Sequence, residues 1–424
     1  VSIEQVKHLT TESGLRIVME RIPHVRSCSL GVWINRGSRH EPLENVGISH
    51  LLEHMVFKGT SRRDVKEIAN SIESVGGSLD AFTSREYTCF HAKVLDEYCD
   101  FALDVLADLI DTPCLAEDQL AREKQVVYEE IRNMEDTPDD LIHQLYSETI
   151  WGGGPLGYPL LGTYETVESI GGEDLRRYLT GQYTARNMVI SVAGNIDFGA
   201  VEATIRDKYA FTAARNGNGA PAAAADSQTA SVPVRRHFSR ACQQTHLCLG
   251  SLGMSHSDPR RYAFLLMSSI VGGGMSSRLF QRVREEEALA YVVYSFQQFY
   301  RDMGVYGVYA GVEPSRSEHA VEVIRQEYAN ILSQGVTAEE LEGAKNQLKG
   351  QLVLGLESTT TRMFRLANFE LNEEPYQPID DVIANIQTVS LEDVADIAAQ
   401  VLDPDSQYVV SLGPDSESDS AAGE

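Results

Sequence analysis

"GISHLLEHMVFKGT" (residues 47–60) places His50, Glu53 and His54 on one helical turn in the order H-x-x-E-H. Ile48, Leu51, Leu52, Met55 and Val56 recur at helical spacing and define an apolar stripe, so the segment reads as a helix with one buried side. His50, Glu53, His54 and Phe57 form a second stripe. Side chains four apart stand one turn above each other, so both imidazoles can reach one ion while Glu53 is aimed alongside it. This is a zinc-holding spacing for hydrolysis, the reverse of the commoner H-E-x-x-H. A pair of core or surface histidines is the bland alternative. Chance gives the pattern in a chain this long roughly one time in a hundred, so a third ligand is needed.

That ligand is sought in "EDQLAREKQVVYEEIRNMED" (residues 117–136), a long helical pattern. Leu120, Val127, Ile131 and Met134 give its buried stripe, and Glu123 and Glu130, seven apart, fall on the same side. Glu129 is rotated toward Arg122, Gln125 and Arg132 on the solvated face. A carboxylate on an apolar stripe must be paired or metal-bound, because burying it alone is expensive. Glu130 is therefore assigned to zinc, and Glu123 to orienting a ligand histidine. A capped or salt-bridged helix end is the alternative for these carboxylates.

The totals bound the rest. At 424 residues, two or more domains are expected. A net charge of −26, from 36 basic and 62 acidic residues, argues against nucleic-acid binding. There is no run of eighteen apolar residues, and the first residues, "VSIEQVKHLTTESG", are too polar for a signal sequence. A cytoplasmic chain with no membrane partner is expected, or one in the mitochondrial matrix if a presequence has been removed. The six cysteines lack C-x-x-C spacing, which suits buried thiols better than a disulfide framework.

Residues 213–233, "AARNGNGAPAAAADSQTASVP", read as a linker between residues 1–212 and 234–413, with a disordered acidic tail at 414–424. Both halves show the same order of elements. In the first, "LRIVMERI" and "SCSLGVWI" precede helices, and strand-like "AFTSREYTCFHAKV" leads into "DEYCDFALDVLADLI". In the second, "THLCLGSLGM" precedes "RRYAFLLMSSIV", and the strands "AYVVYSFQQFY" and "GVYGVYAGV" lead into "SEHAVEVIRQEYANIL". A diverged duplication into two α+β domains is expected, each an antiparallel or mixed sheet with helices packed on it. The glycine run in "VGGGMSSRLF" lacks the Lys-Ser/Thr of a phosphate loop, so a flexible loop is preferred. His91, His143, His246 and His256 have no ligand-spaced neighbours and read as ordinary structural or surface histidines.

His50, Glu53, His54, Glu123 and Glu130 together resemble the signature of the M16 (pitrilysin-like) metallopeptidases. "GGSLDAFTSREYTCFHAKV", "PLGYPLLGT" and "VGGGMSSRLFQRVREEEALAYVVYS" resemble the M16B branch, which contains the catalytic subunit of the mitochondrial processing peptidase and its bacterial relatives. The resemblance runs from about residue 10 to 412. It implies two homologous domains of the LuxS/MPP-like metallohydrolase type, one zinc ion, and an endopeptidase acting on extended or presequence-like peptides with Glu53 as general base. It also implies that Arg284 holds substrate backbone and that Tyr291 hydrogen-bonds the oxyanion; on the pattern alone these are a solvated helix charge and a core tyrosine. The strand around Ala81, Phe82 and Thr83 would take substrate by strand addition. Asp80 stands where many relatives have Asn and could favour a basic side chain, although an ordinary interior strand is the alternative. The implied assembly is a homodimer, or a heterodimer with a zinc-less homologue. Rival readings are a non-catalytic core subunit of the same fold and a peptide-binding protein that holds zinc only structurally.

Overall fold

The computed structural model describes residues 5–215 and 232–415. Within them, strands form two mixed sheets with packed helices, an α+β architecture. The first sheet holds β1 (Gln5–Thr10), β2 (Arg16–Arg21), β3 (Ser27–Ile34), β4 (Ser78–Thr83), β5 (Thr88–Leu95) and β6 (Met188–Gly194). Its order is β1-β2-β6-β3-β5-β4. The second holds β7 (Arg235–Ser239), β8 (Thr245–Gly253), β9 (Ala290–Phe299), β10 (Gly304–Val312) and β11 (Tyr408–Gly413), in the order β7-β11-β8-β10-β9. Neighbours are antiparallel except for β2 with β6 and β7 with β11. Without β1, the two sheets share one strand order and one parallel pair in the same place. This matching topology agrees with the duplication expected from the sequence.

Strand alternation gives each sheet two apolar faces. In β2, Ile17 and Met19 join one core cluster and Val18 another. In β8, Leu247 and Leu249 lie on one face and Cys248 on the other. One face of the first sheet takes the helix Cys99–Asp111, which packs on β3 and β5, and the helix Ile48–Val56, which packs on β4 and β5. Its opposite face is covered by the helix Thr359–Leu371, lying on β2, β3 and β6. Met363, Leu366 and Ala367 of that helix are fully buried against Val18, Trp33 and Val189. In the second sheet the corresponding face is covered by Pro138–Trp151, packed on β8 and β11, with the Tyr146 hydroxyl donating to the Tyr306 carbonyl at 2.7 Å.

Packing thus groups the chain into two compact units made of exchanged segments. One comprises Val1–Arg132, Tyr158–Ser227 and Gly355–Tyr376; the other comprises Asn133–Gly157, Gln228–Leu354 and Gln377–Glu424. Contiguous domains at 1–212 and 234–413 therefore need correction. Each half of the sequence supplies the helix that buries the second face of the other half's sheet, a partnership that composition does not reveal. Most of the expected linker, residues 216–231, and the expected tail from 416 lie outside the described residues. The strand-like segment 81–94 is a hairpin, β4 and β5 joined by a turn at 84–87. Among the described residues no helix is long and apolar enough to cross a membrane.

Candidate metal centre

The motif helix Ile48–Val56 is fixed at both its start and its apolar side. Gly47 precedes it with φ +95°, and a Cβ there would stand 2.7 Å from the Leu161 carbonyl oxygen, so glycine is required. The Glu41 carboxylate caps the helix, accepting from the Gly47 N–H at 2.7 Å and the Ser49 N–H at 2.8 Å. Leu51, Leu52, Met55 and Val56 are fully buried, which leaves His50, Glu53 and His54 on the other side. The sequence reading missed Glu41, because it stands too far before the helix for a capping-box spacing.

Burial pushes the Glu41 carboxyl up from its ordinary 4.5 to about 7, against the opposing pull of hydrogen bonds from Ser49 and Gly47. A carboxyl raised on folding contributes stability that is complete below its unfolded pKa and is lost as pH rises through the folded value. Wild type is therefore expected to lose about 3 kcal/mol relative to Glu41→Gln between pH 4.5 and pH 7.5. Denaturant melts of both proteins across that window check this; parallel curves would contradict it.

Glu130, on the helix Glu117–Glu135, meets the two histidines. Its Oε2 lies 3.7 Å from His50 Nε2 and 3.6 Å from His54 Nε2, and one ligand atom from each of the three residues lies within 4.8 Å of the others. The two imidazole centroids are 4.6 Å apart. These separations are too long for hydrogen bonds. They are close to the roughly 3.3 Å between ligand atoms around a tetrahedral ion with bonds of about 2.05 Å. Glu130 Oε2 is buried and has no hydrogen-bond partner. Burial, with the neighbouring His54 adding to it, pushes His50 down to about 3, so its ring is a neutral donor at ordinary pH. An inward orphan oxygen beside a neutral imidazole fits a divalent cation better than it fits a histidine–carboxylate ion pair. Two nitrogens and one carboxylate oxygen are a zinc-type set.

The surrounding carboxylates differ in burial and in partners. Glu123 is buried, its Oε2 3.3 Å from His54 Nδ1 and its Oε1 2.8 Å from Lys58 Nζ. Glu129 is exposed and pairs with Arg132 one turn on. Glu53 is 8 % exposed, and its Oε2 accepts from the Thr83 hydroxyl at 2.6 Å. Burial raises the Glu53 carboxyl, while the Thr83 hydrogen bond works to lower it.

Thr83 belongs to β4, which pairs only with β5 and forms the edge of the first sheet among the described residues. Ala81 packs on the core cluster that holds the motif helix. Phe82 faces the other way, its ring 5.9 Å from Phe364. The exposed Asp80 turns its Oδ1 back to accept from the Ala81 N–H at 2.8 Å.

Family models match much of the chain. The model for insulinase (peptidase family M16) matches residues 16–164, and that for the peptidase M16 inactive domain matches residues 169–348. A Bacillus subtilis (strain 168) protein named uncharacterized zinc protease YmxG is 43% identical over 407 residues, covering 96% of this chain and 98% of its own. The chain belongs to the M16 peptidase family. A Streptomyces coelicolor relative, also named an uncharacterized zinc protease, is 38% identical over 403 residues, covering 94% of this M16 chain and 88% of its own. The fold is shared with the crystal structure of a protease from Helicobacter pylori (TM-score 0.91, 20% identity, 97% of this chain and 100% of that one).

The two remaining sequence candidates of this M16 chain lie in the second unit. Arg284 sits in a π-helical turn, Phe280–Glu286, and Tyr291 opens β9. The Arg284 guanidinium lies 4.6 Å over the Tyr291 ring and 4.7 Å over that of Phe280. Tyr291 is 74 % exposed, so it is not the core residue that its strand position suggests.

Proposed function

We propose that the chain is a zinc endopeptidase of the M16B type that hydrolyses extended peptides. The observation carrying this reading is the convergence of His50, His54 and Glu130 on one point, with a buried, unpartnered Glu130 oxygen. These three residues would hold the ion, and Glu123 would orient His54 through Nδ1. When bound, zinc supplies Lewis acidity that polarises a carbonyl and makes a water acidic near pH 7.

Glu53 takes the proton of the attacking water and delivers it to the leaving amine. Burial favours its protonated form, which suits a group that must both accept and return a proton. Thr83 holds one of its two oxygens, so the carboxylate has a fixed orientation. An extended substrate would add to the open edge of β4, where backbone pairing reads main chain more than side chains. Tyr291 and Arg284 are proposed, on the family resemblance, as donors to the oxyanion and the substrate backbone. A homodimer is the expected assembly on the same ground.

Dialysis against a chelator is expected to abolish cleavage of an unfolded peptide, and one equivalent of zinc to restore it. Metal analysis should give one zinc per chain. Cleavage that survives complete metal removal would overturn the reading.

A further inference from the structure

Lys58 lies just beyond the motif helix, four residues after His54. Its ammonium stands 2.8 Å from Glu123 Oε1, and the other oxygen of that carboxylate is 3.3 Å from His54 Nδ1. The far nitrogen of the same ring, Nε2, faces Glu130. Lys58, Glu123 and His54 thus form a line that ends at the point shared by the three candidate ligands.

Each link has a physical consequence for the next. The Glu123 side chain is 8 % exposed, and Lys58 pairs with it. A carboxylate at that depth needs a counter-charge as well as a hydrogen-bond donor. Lys58 supplies the charge and holds one oxygen, which leaves the other aimed at His54. A carboxylate accepts from Nδ1 only when that nitrogen carries the proton, and the lone pair is then on Nε2.

We propose that Lys58 is a positioning residue for the metal centre: it fixes the Glu123 carboxylate and, through it, the ligand tautomer of His54. This rests on the zinc reading above.

Zinc affinity of the full-length protein, measured by competition with a chromophoric chelator, tests both ideas separately. Wild type is expected to bind one zinc. Lys58→Met is expected to bind about ten-fold more weakly, the lower end of the loss seen when groups supporting a ligand are removed. Lys58→Arg should restore most of the affinity. In a Glu123→Gln background, Lys58→Met should cause little further loss, because the lysine acts through that carboxylate. Nitrogen chemical shifts of His54 in the metal-free protein give a second readout, with Lys58→Met expected to raise the Nε2–H tautomer. Wild-type affinity in Lys58→Met, or full additivity with Glu123→Gln, would refute the lysine's role. A wild type that takes up no zinc would defeat the metal reading, and the lysine proposal with it.

Discussion

Replacing Glu53 by Gln is expected to lower kcat/KM for peptide cleavage by about 10²–10⁴-fold, with zinc content unchanged. Glutamine keeps the size of the side chain and an oxygen that can accept from Thr83, so the wall of the site survives. What it lacks is a proton-accepting carboxylate. The proposed ligands His50, His54 and Glu130 do not include position 53, so metal binding and proton transfer should separate cleanly. Parallel measurement of steady-state kinetics and bound metal decides the matter. Activity within ten-fold of wild type would remove Glu53 from the chemistry, and loss of zinc would make its role structural.

The second large effect concerns folding. A fragment ending at residue 232 lacks Thr359–Leu371 and should not form a cooperative structure by itself. The fragment would expose the face of the first sheet built from Val18, Trp33, Cys89, Val189 and Ala193, all buried in the intact protein. It would also lose the Trp33–Phe364 edge contact at 5.6 Å, the Ser191 hydroxyl bond to the Met363 carbonyl at 2.8 Å, and the pairing of Arg362 with the buried Glu20. At roughly 1.5–3 kcal/mol for each large apolar side chain, the missing burial is on the order of 10 kcal/mol. That rivals the whole stability of an ordinary domain, about 5–15 kcal/mol. Fusing residues 355–376 to the fragment should recover a sharp thermal transition and remove binding of a hydrophobic dye. A fragment that melts cooperatively without them would contradict the packing.

The candidate centre stood out in the sequence because it departs from ordinary local patterns. His50 and His54 stand one turn apart on the stripe opposite the apolar one, and Glu123 and Glu130 are carboxylates on an apolar stripe, which need a reason to be there. Supporting residues showed no such departure. Glu41 precedes a helix it does not adjoin in sequence, and Lys58 after a helix end reads as a solvated charge. The central strands β6 and β11 were also missed. Every residue in both is buried, so "MVISVAG" and "YVVSLG" lack the alternation that marks a half-exposed strand. The exchanged helices were hidden for a different reason. An amphipathic pattern says that a helix has a buried side, but not which sheet lies beneath it.

The exchange also sets a timetable for synthesis. A nascent chain emerging from the ribosome has all six strands of the first sheet by residue 194, yet the helix that closes its second face ends only at residue 371. Domains made of contiguous sequence can finish folding while translation continues. Here the earlier-made unit must wait, one greasy surface uncovered, until synthesis has passed residue 371.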